Sequence, residues 1–118
     1  QCAYRFNQPL NSWDVSSVTN MKQMFHNAND FNQPLNSWDV SKVIDMNGLF
    51  FNTHEFNQPL DNWKLKSLKK MKGMFALSNK FNQCLNMWDV SSVEDKKARP
   101  SSLSKYVLRN EILAYFTR

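Results

Sequence analysis

Acidic side chains recur at a fixed interval along this chain of 118 residues. Asp14, Asp39 and Asp89 are separated by multiples of 25 residues, and Lys64 takes the remaining place in the series. Clustered carboxylates could bind Ca²⁺, which prefers oxygen ligands. Lys64 interrupts the series, however, and no glycine-rich calcium-binding repeat accompanies it. We therefore expect solvated carboxylates that accept hydrogen bonds from nearby serines, with no metal ion and no other cofactor.

Amide side chains recur with the same interval in two adjacent columns. These are Asn7, Asn32, Asn57 and Asn82, and Gln8, Gln33, Gln58 and Gln83. Amides of this kind could bind a sugar. Strict recurrence is better explained by side chains that satisfy backbone groups from one repeat to the next, so we predict a structural asparagine ladder with partly exposed glutamines.

The remaining reactive residue types do not form a catalytic pattern. His26 and His54 occupy different positions of the repeating unit, the two cysteines form no CxxC pair, and only Gly48 and Gly73 are glycine. No nucleophile elbow, phosphate-binding loop or zinc-ligand spacing is present. We therefore predict that the chain is not an enzyme.

A 25-residue unit organises the chain. The segment FNQPLNSWDV returns unchanged, and two related copies, FNQPLDNWKL and FNQCLNMWDV, follow it; we number these repeats 1 to 4, starting at Phe6, Phe31, Phe56 and Phe81. A fixed period of this length is typical of repeat proteins, in which each unit buries its apolar face against its neighbours. We therefore expect a solenoid.

Two apolar periodicities divide each repeat. Trp13 and Val15 alternate with polar residues, as on the buried face of a short strand, whereas Met21, Met24 and Phe25 show the three- and four-residue spacing of the buried side of a helix. Prolines in the FNQP segment should end each helix. The predicted fold is an α/β, leucine-rich-repeat-like solenoid with short parallel strands on one face and short helices on the other.

The repeat pattern fades near residue 100, which divides the chain into two predicted parts. Residues 1–100 should form the solenoid, and residues 101–118 have the apolar spacing of a C-terminal capping helix. Because the chain begins within a repeat at Gln1, we expect either further repeats in a longer protein or self-association through the open solenoid ends.

The motif FNQPLNSWDVSSVTNMKQMF resembles the 25-residue units of BspA-like leucine-rich-repeat surface proteins, which include bacterial surface proteins and mycoplasma lipoproteins. The resemblance covers roughly residues 1–95. It implies a cell-surface or extracellular location and a role in adhesion, and it implies no defined ligand. Val18 stands where the general leucine-rich pattern carries an asparagine, so the amide ladder would have to come from the Asn7 column.

Basic charge is concentrated in the second half of the chain. The net charge is +5, yet residues 1–60 carry three basic and five acidic side chains, whereas residues 61–118 carry twelve and five. Repeat 3 contributes WKLKSLKKMKGMF, which could attract an anionic polymer. Its Trp63 and Leu65 occupy core columns and cannot stack on bases, so we expect no nucleic-acid partner. No apolar run long enough for a transmembrane segment occurs.

The outward-facing residues of the predicted strands are the ones that vary between repeats, which makes them the candidate binding surface. In repeats 2 to 4 they are Ser37, Asp39, Ser41, Asn62, Lys64, Lys66, Met87, Asp89 and Ser91, and repeat 1 adds Ser12, Asp14 and Ser16. We predict a non-enzymatic interaction or adhesion module that binds a protein or an anionic glycan on a cell surface through this face. The alternative is a structural spacer in a longer surface array.

Overall fold

Turns, rather than helices or strands, shape each repeat. The computed structural model describes residues 5–94, and within them no residue lies in an α-helix or an extended strand. Regular pairing is limited to two isolated parallel bridges, Asn20 with Asp45 and Asp45 with Lys70. The predicted α/β leucine-rich-repeat-like solenoid is therefore wrong, and the described chain is a compact globule. The predicted capping helix of residues 101–118 lies outside the described residues.

The segment predicted to be helical is instead a series of tight turns. The Met24 N–H donates to the Met21 carbonyl at 3.2 Å, and the Ala28 N–H donates to the Phe25 carbonyl at 3.0 Å. The third residue of each turn, Gln23 and Asn27, has a positive φ of 57° and 63°. Such a residue is typical of type II turns and cannot continue a right-handed helix.

The same turns occur at the equivalent positions of the next two repeats. Gly48, Asn52 and Gly73 again take positive φ values of 62°, 55° and 63°, which glycine and asparagine adopt at little cost. Leu77 has a φ of 62° with a side chain that this conformation disfavours. The turn series therefore persists even where the local residue opposes it, which shows that contacts between repeats fix it.

Backbone hydrogen bonds between repeats hold the turn segments together. In repeat 1 the N–H groups of alternate residues donate to carbonyls 24 residues later, as between Phe25 and Leu49 at 2.9 Å. Repeat 2 bonds to repeat 3 in the same way, as between Phe50 and Met74 at 2.9 Å. Alternate residues thus bond across to the next repeat while the residues between them close the turns.

The segment predicted to be a strand also folds as turns, yet its alternating burial is retained. The Trp38 N–H donates to the Leu35 carbonyl at 3.1 Å, and the Val43 N–H donates to the Val40 carbonyl at 3.0 Å. Trp38 and Val40 are buried, whereas Asp39 between them is exposed. The pattern predicted which side chains are inside, but it did not predict the backbone that places them there.

Tryptophan indoles tie each repeat to the one before it. The Nε1–H of Trp38 donates to the Leu10 carbonyl at 2.9 Å, and Trp63 and Trp88 donate in the same way to the carbonyls of Leu35 and Leu60. A buried indole N–H needs such a partner, because an unpaired one would lose its hydration without compensation. Trp38, Trp63 and Trp88 therefore each supply both apolar burial and a hydrogen bond.

Phenylalanine columns form the centre of the core. The ring centroids of Phe31 and Phe56 lie 5.9 Å apart, and those of Phe25 and Phe50 lie 5.7 Å apart. The two columns touch, with Phe50 and Phe56 separated by 4.3 Å. Equivalent rings thus pack at the spacing of the repeats, so every repeat depends on its neighbours for burial.

Repeat 1 presents a less covered edge. Trp13 is 55% exposed and Met24 is 40% exposed, although the sequence predicted that both are buried. The equivalent Trp38 and Trp63 are covered because an earlier repeat lies against them. The prediction of burial thus holds for the later tryptophans and is wrong for Trp13.

The predicted asparagine ladder is confirmed. The Oδ1 of Asn7 accepts the Asn32 N–H at 2.9 Å, and Asn32 and Asn57 do the same for Asn57 and Asn82. The glutamines join it, since Gln33 Nε2 donates to Asn7 Oδ1 at 3.0 Å. The asparagine and glutamine amides of the ladder therefore form hydrogen bonds between repeats.

Replacing Trp38 with alanine should destabilise the chain by about 3–5 kcal/mol, because it leaves a cavity and removes one of the two hydrogen bonds that the Leu10 carbonyl accepts. Trp13→Ala is the matched control, and its exposed indole should cost no more than about 1 kcal/mol. Urea unfolding followed by circular dichroism measures both values. Equal losses in the two variants would contradict the position assigned to Trp38 between repeats.

Candidate functional site

The predicted binding residues lie together on one exposed surface, which we call the loop face. It consists of the outward-pointing positions of the loops that follow the FNQP segments of repeats 1 to 3 and the FNQC segment of repeat 4. These residues are Ser12, Asp14, Ser16, Ser37, Asp39, Ser41, Asn62, Lys64, Lys66, Met87, Asp89 and Ser91. All of them are exposed or half-buried. These positions are thus accessible as predicted, although turns rather than strands carry them, and their role in binding stays a prediction.

Three repeats shape the loop face with the same aspartate-centred turn. Asp39 Oδ1 accepts the Ser41 N–H at 3.0 Å and the Ser41 hydroxyl at 2.6 Å. Asp14 makes both bonds to Ser16, and Asp89 accepts the N–H of Ser91. The predicted hydrogen bonds between these carboxylates and turn serines are therefore confirmed.

These hydrogen bonds determine the electrostatics of the aspartates. The hydroxyl and N–H of Ser41 stabilise the carboxylate of Asp39 and lower its pKa below the ordinary value of 3.8, with smaller contributions from Lys42 and Lys66. Ser16 lowers the pKa of Asp14 by the same two bonds. Both groups are therefore charged at neutral pH and serve to hold their turns.

Repeat 3 departs from this arrangement. Lys64 replaces the turn aspartate and Lys66 replaces the serine that would bond to it, and both lysines are exposed while Leu65 between them is buried. The loop backbone is retained, since the Trp63 N–H donates to the Leu60 carbonyl at 3.1 Å as in the other repeats. A basic pair thus interrupts a row of aspartate-centred turns.

A depression lies next to this basic pair. It has a volume of about 300 Å³ and is lined by Trp63, Lys64, Leu65, Lys66, Met87, Asp89, Ser91 and Ser92. Met87 is 71% exposed, the highest value among the large apolar side chains of residues 5–94. Repeats 3 and 4 therefore bring together two cations, one carboxylate and one flexible apolar side chain.

A larger groove lies elsewhere, along the turn segments, on a surface that we call the turn face. Its volume is about 570 Å³, and its lining includes Gln23, Gly48, Phe51, Gly73 and Leu77. Sequence reasoning missed this groove. The available signal was that both glycines of the chain occupy the same position of the repeat, where side chains would otherwise stand.

Residues 5–94 do not bring metal-ligating side chains together and do not form a membrane-spanning helix. No group of three or more histidine, cysteine, aspartate or glutamate side chains in this range could hold a metal ion. The same residues contain no helix with the length and apolarity to span a bilayer. Cys84 is a free, exposed thiol whose Sγ lies 2.7 Å from Asn86 Oδ1.

The chain matches a known protein family. Residues 1–107 match the model of a family described as "Mycoplasma protein of unknown function, DUF285". The chain belongs to this family. No curated protein and no solved structure matches it. Membership of DUF285 is consistent with the resemblance to BspA-like repeat proteins, which that family includes, and it assigns no activity. The function must therefore be inferred from the two surfaces.

Removing the Ser41 hydroxyl should raise the pKa of Asp39 toward 3.8, because the Ser41→Ala variant loses the hydrogen bond that lowers it most. A lowered pKa in the folded state stabilises the fold above the pKa of the unfolded chain. That contribution is lost as the pH falls through the folded pKa, so the variant should show less acid destabilisation from this group.

The carboxyl ¹³C shift of Asp39, followed by NMR across a pH titration, measures this change. Asp14 is an internal control, because its turn with Ser16 is untouched and its pKa should stay in place. An unchanged Asp39 titration in Ser41→Ala would contradict the assigned turn.

Proposed function

We propose that this chain is a non-enzymatic interaction module that binds an acidic protein surface through the part of the loop face formed by repeats 3 and 4. The observation that carries the proposal is the replacement of the aspartate-centred turn by exposed Lys64 and Lys66, beside exposed Met87. The core columns stay apolar in these repeats, and the asparagine ladder continues through them. The change of charge at Lys64 and Lys66 is thus made on the surface without a polar substitution in the described core.

The chemistry of this area favours a protein partner. Two lysines beside Asp89 give a basic area with a negative neighbour, which suits a partner that is acidic overall and carries some opposite charge. Met87 can adapt to an irregular apolar surface, and methionine is enriched at protein interfaces. The depression next to Lys64 and Lys66 would accommodate a side chain of the partner protein.

The described carboxylates give no support to a catalytic role. Asp14, Asp39 and Glu55 have lowered pKa values, and each is explained first by a hydrogen bond from Ser16, Ser41 or Lys80. Catalytic groups are more often perturbed by burial within a cleft. The resemblance to BspA-like proteins supports placing this interaction at a cell surface or in the extracellular space.

The Lys64→Glu/Lys66→Glu double variant should lose binding to cultured animal cells by roughly tenfold at low salt, since it reverses the charge that would attract an acidic partner. Raising the salt should weaken binding of the unaltered chain toward that of the variant. Flow cytometry with labelled protein measures this, and circular dichroism confirms that the variant is folded.

Lys64→Arg/Lys66→Arg is the matched control, because it changes the same two side chains, keeps their positive charge and should leave cell binding in place. Protease treatment of the cells should abolish the binding that depends on Lys64 and Lys66, whereas enzymatic removal of anionic glycans should not. If the binding that depends on Lys64 and Lys66 is lost only after glycan removal, the ligand of the loop face is a glycan. Cell binding that depends neither on Lys64 and Lys66 nor on the salt concentration would favour the role of a structural spacer.

A further inference from the structure

A column of aromatic rings on the turn face contains residues of repeats 1 and 2 but none of repeat 3. The rings of His26 and Phe51 are stacked, with centroids 4.8 Å apart and planes inclined by only 8°. The next residue of this column is Ala76, which has no ring to continue the series. Phe51 therefore has an aromatic neighbour from repeat 1 and none from this position of repeat 3.

The other aromatic columns show what would fill that position. Phe50 and Phe75 have ring centroids 5.6 Å apart, and Phe56 and Phe81 have centroids 5.9 Å apart. A ring at position 76 would lie against Phe51 at a similar distance. The described chain thus provides no ring at the point where the column ends, and the turn-face groove passes this point.

Ala76 lines the turn-face groove but is itself buried, so the open space lies beside it rather than on it. Gly48 and Gly73 form part of the floor, and a Cβ atom added to Gly73 would meet no other atom within 4 Å. Leu77 lines the same groove and is 58% exposed. The groove has a volume of about 570 Å³, which lies in the range of small-molecule sites. The groove is therefore open at Gly73, whereas the Gln23 side chain lies beside Gly48, and Phe51, Ala76 and Leu77 supply apolar surface.

Polar and cationic groups surround this apolar base. Lys22, Gln23, Asn47 and Lys72 line the groove. Asn47 Oδ1 already accepts the Lys72 N–H at 2.7 Å, which leaves the amide nitrogen as a hydrogen-bond donor. Neither lysine forms an ion pair with another residue of the described chain. Positive charge thus lies beside a stacking surface.

The adjoining surface adds to the positive charge. A neighbouring depression of about 330 Å³ shares Asn47 and Lys72 with the groove. It adds two further lysines, Lys69 and Lys70, against one acid, Glu94. A chain-like anionic ligand that continues beyond the groove would therefore meet more cations than acids.

We propose that the turn-face groove binds a uronic acid residue of an anionic polysaccharide, with the pyranose ring stacked on Phe51 and its carboxylate near Lys72. A pyranose has an apolar face of C–H groups and a polar rim of hydroxyls, which matches a groove with an apolar base and amide and ammonium groups at its edge. An aromatic side chain of a peptide would form few hydrogen bonds with the amide and ammonium groups at the edge of the groove. This site is distinct from the loop face and does not rest on its function.

Titration of the full chain with tetragalacturonate tests the proposal, with neutral maltotetraose as a ligand of equal length. Amide and side-chain NMR shifts should move at Phe51, Gly73 and Lys72, and the anionic sugar should bind at least roughly tenfold more tightly. Salt should weaken its binding. Lys72→Gln should reduce both the affinity and the dependence on salt, whereas Lys64→Gln, on the loop face, should change neither.

Two variants close the vacant position by different routes. Ala76→Phe places a ring against Phe51, and Gly73→Asn adds a side chain with a residue type that already takes positive φ at Asn27 and Asn52. Both should lower tetragalacturonate affinity by at least roughly tenfold. If one variant fails to fold, the other carries the test.

Absence of tetragalacturonate binding, equal binding of maltotetraose, or full binding by a folded Gly73→Asn or Ala76→Phe variant would overturn the proposal. A tyrosine-containing acidic peptide that shifts the same resonances in place of the sugar would assign the groove to a protein ligand and would also overturn it.

Discussion

Each repeat leaves alternate N–H groups of its turn segment without a partner inside the repeat, and the next repeat supplies their carbonyls. Gln23 donates to Asn47 at 2.9 Å, and Gly48 donates to Lys72 at 3.0 Å. Unpaired backbone groups are costly when they lose water, so a repeat is satisfied only when the next copy lies in register with it. This requirement explains why the copies share one length and why equivalent rings, the indole hydrogen bonds and the asparagine ladder connect residues about one repeat apart.

The sequence predicted the inside and outside of the molecule better than its backbone. Recurrence identified the buried positions of Trp38 and Phe31, the Asn32 ladder and the hydrogen bond from Ser41 to Asp39, because each of these depends on residue type at a fixed interval. The helix prediction failed because three- and four-residue apolar spacing also results from consecutive four-residue turns. Asparagine or glycine at positions 27, 48, 52 and 73 was the signal for positive φ.

The candidate site could be predicted where it depends on side chains that are present. Lys64 and Lys66 stand out because they replace an aspartate and a serine that other repeats retain. The turn-face groove depends instead on side chains that are missing, at Gly73 and Ala76, next to a ring that another repeat provides. Such a space becomes visible only when the register between repeats is known. The loop face and the turn-face groove have a common origin. Both arise where the residues of one repeat differ from those of its neighbours without disturbing the core.

Scalar couplings across hydrogen bonds test the central claim most directly, because they report which carbonyl each amide contacts. In uniformly labelled protein, the amide nitrogens of Met46, Gly48 and Phe50 should couple to the carbonyl carbons of Lys70, Lys72 and Met74, respectively. Couplings from these amides to carbonyls four residues earlier in the chain would establish the helices that apolar spacing suggests, and would contradict hydrogen bonding between repeats as the basis of the fold.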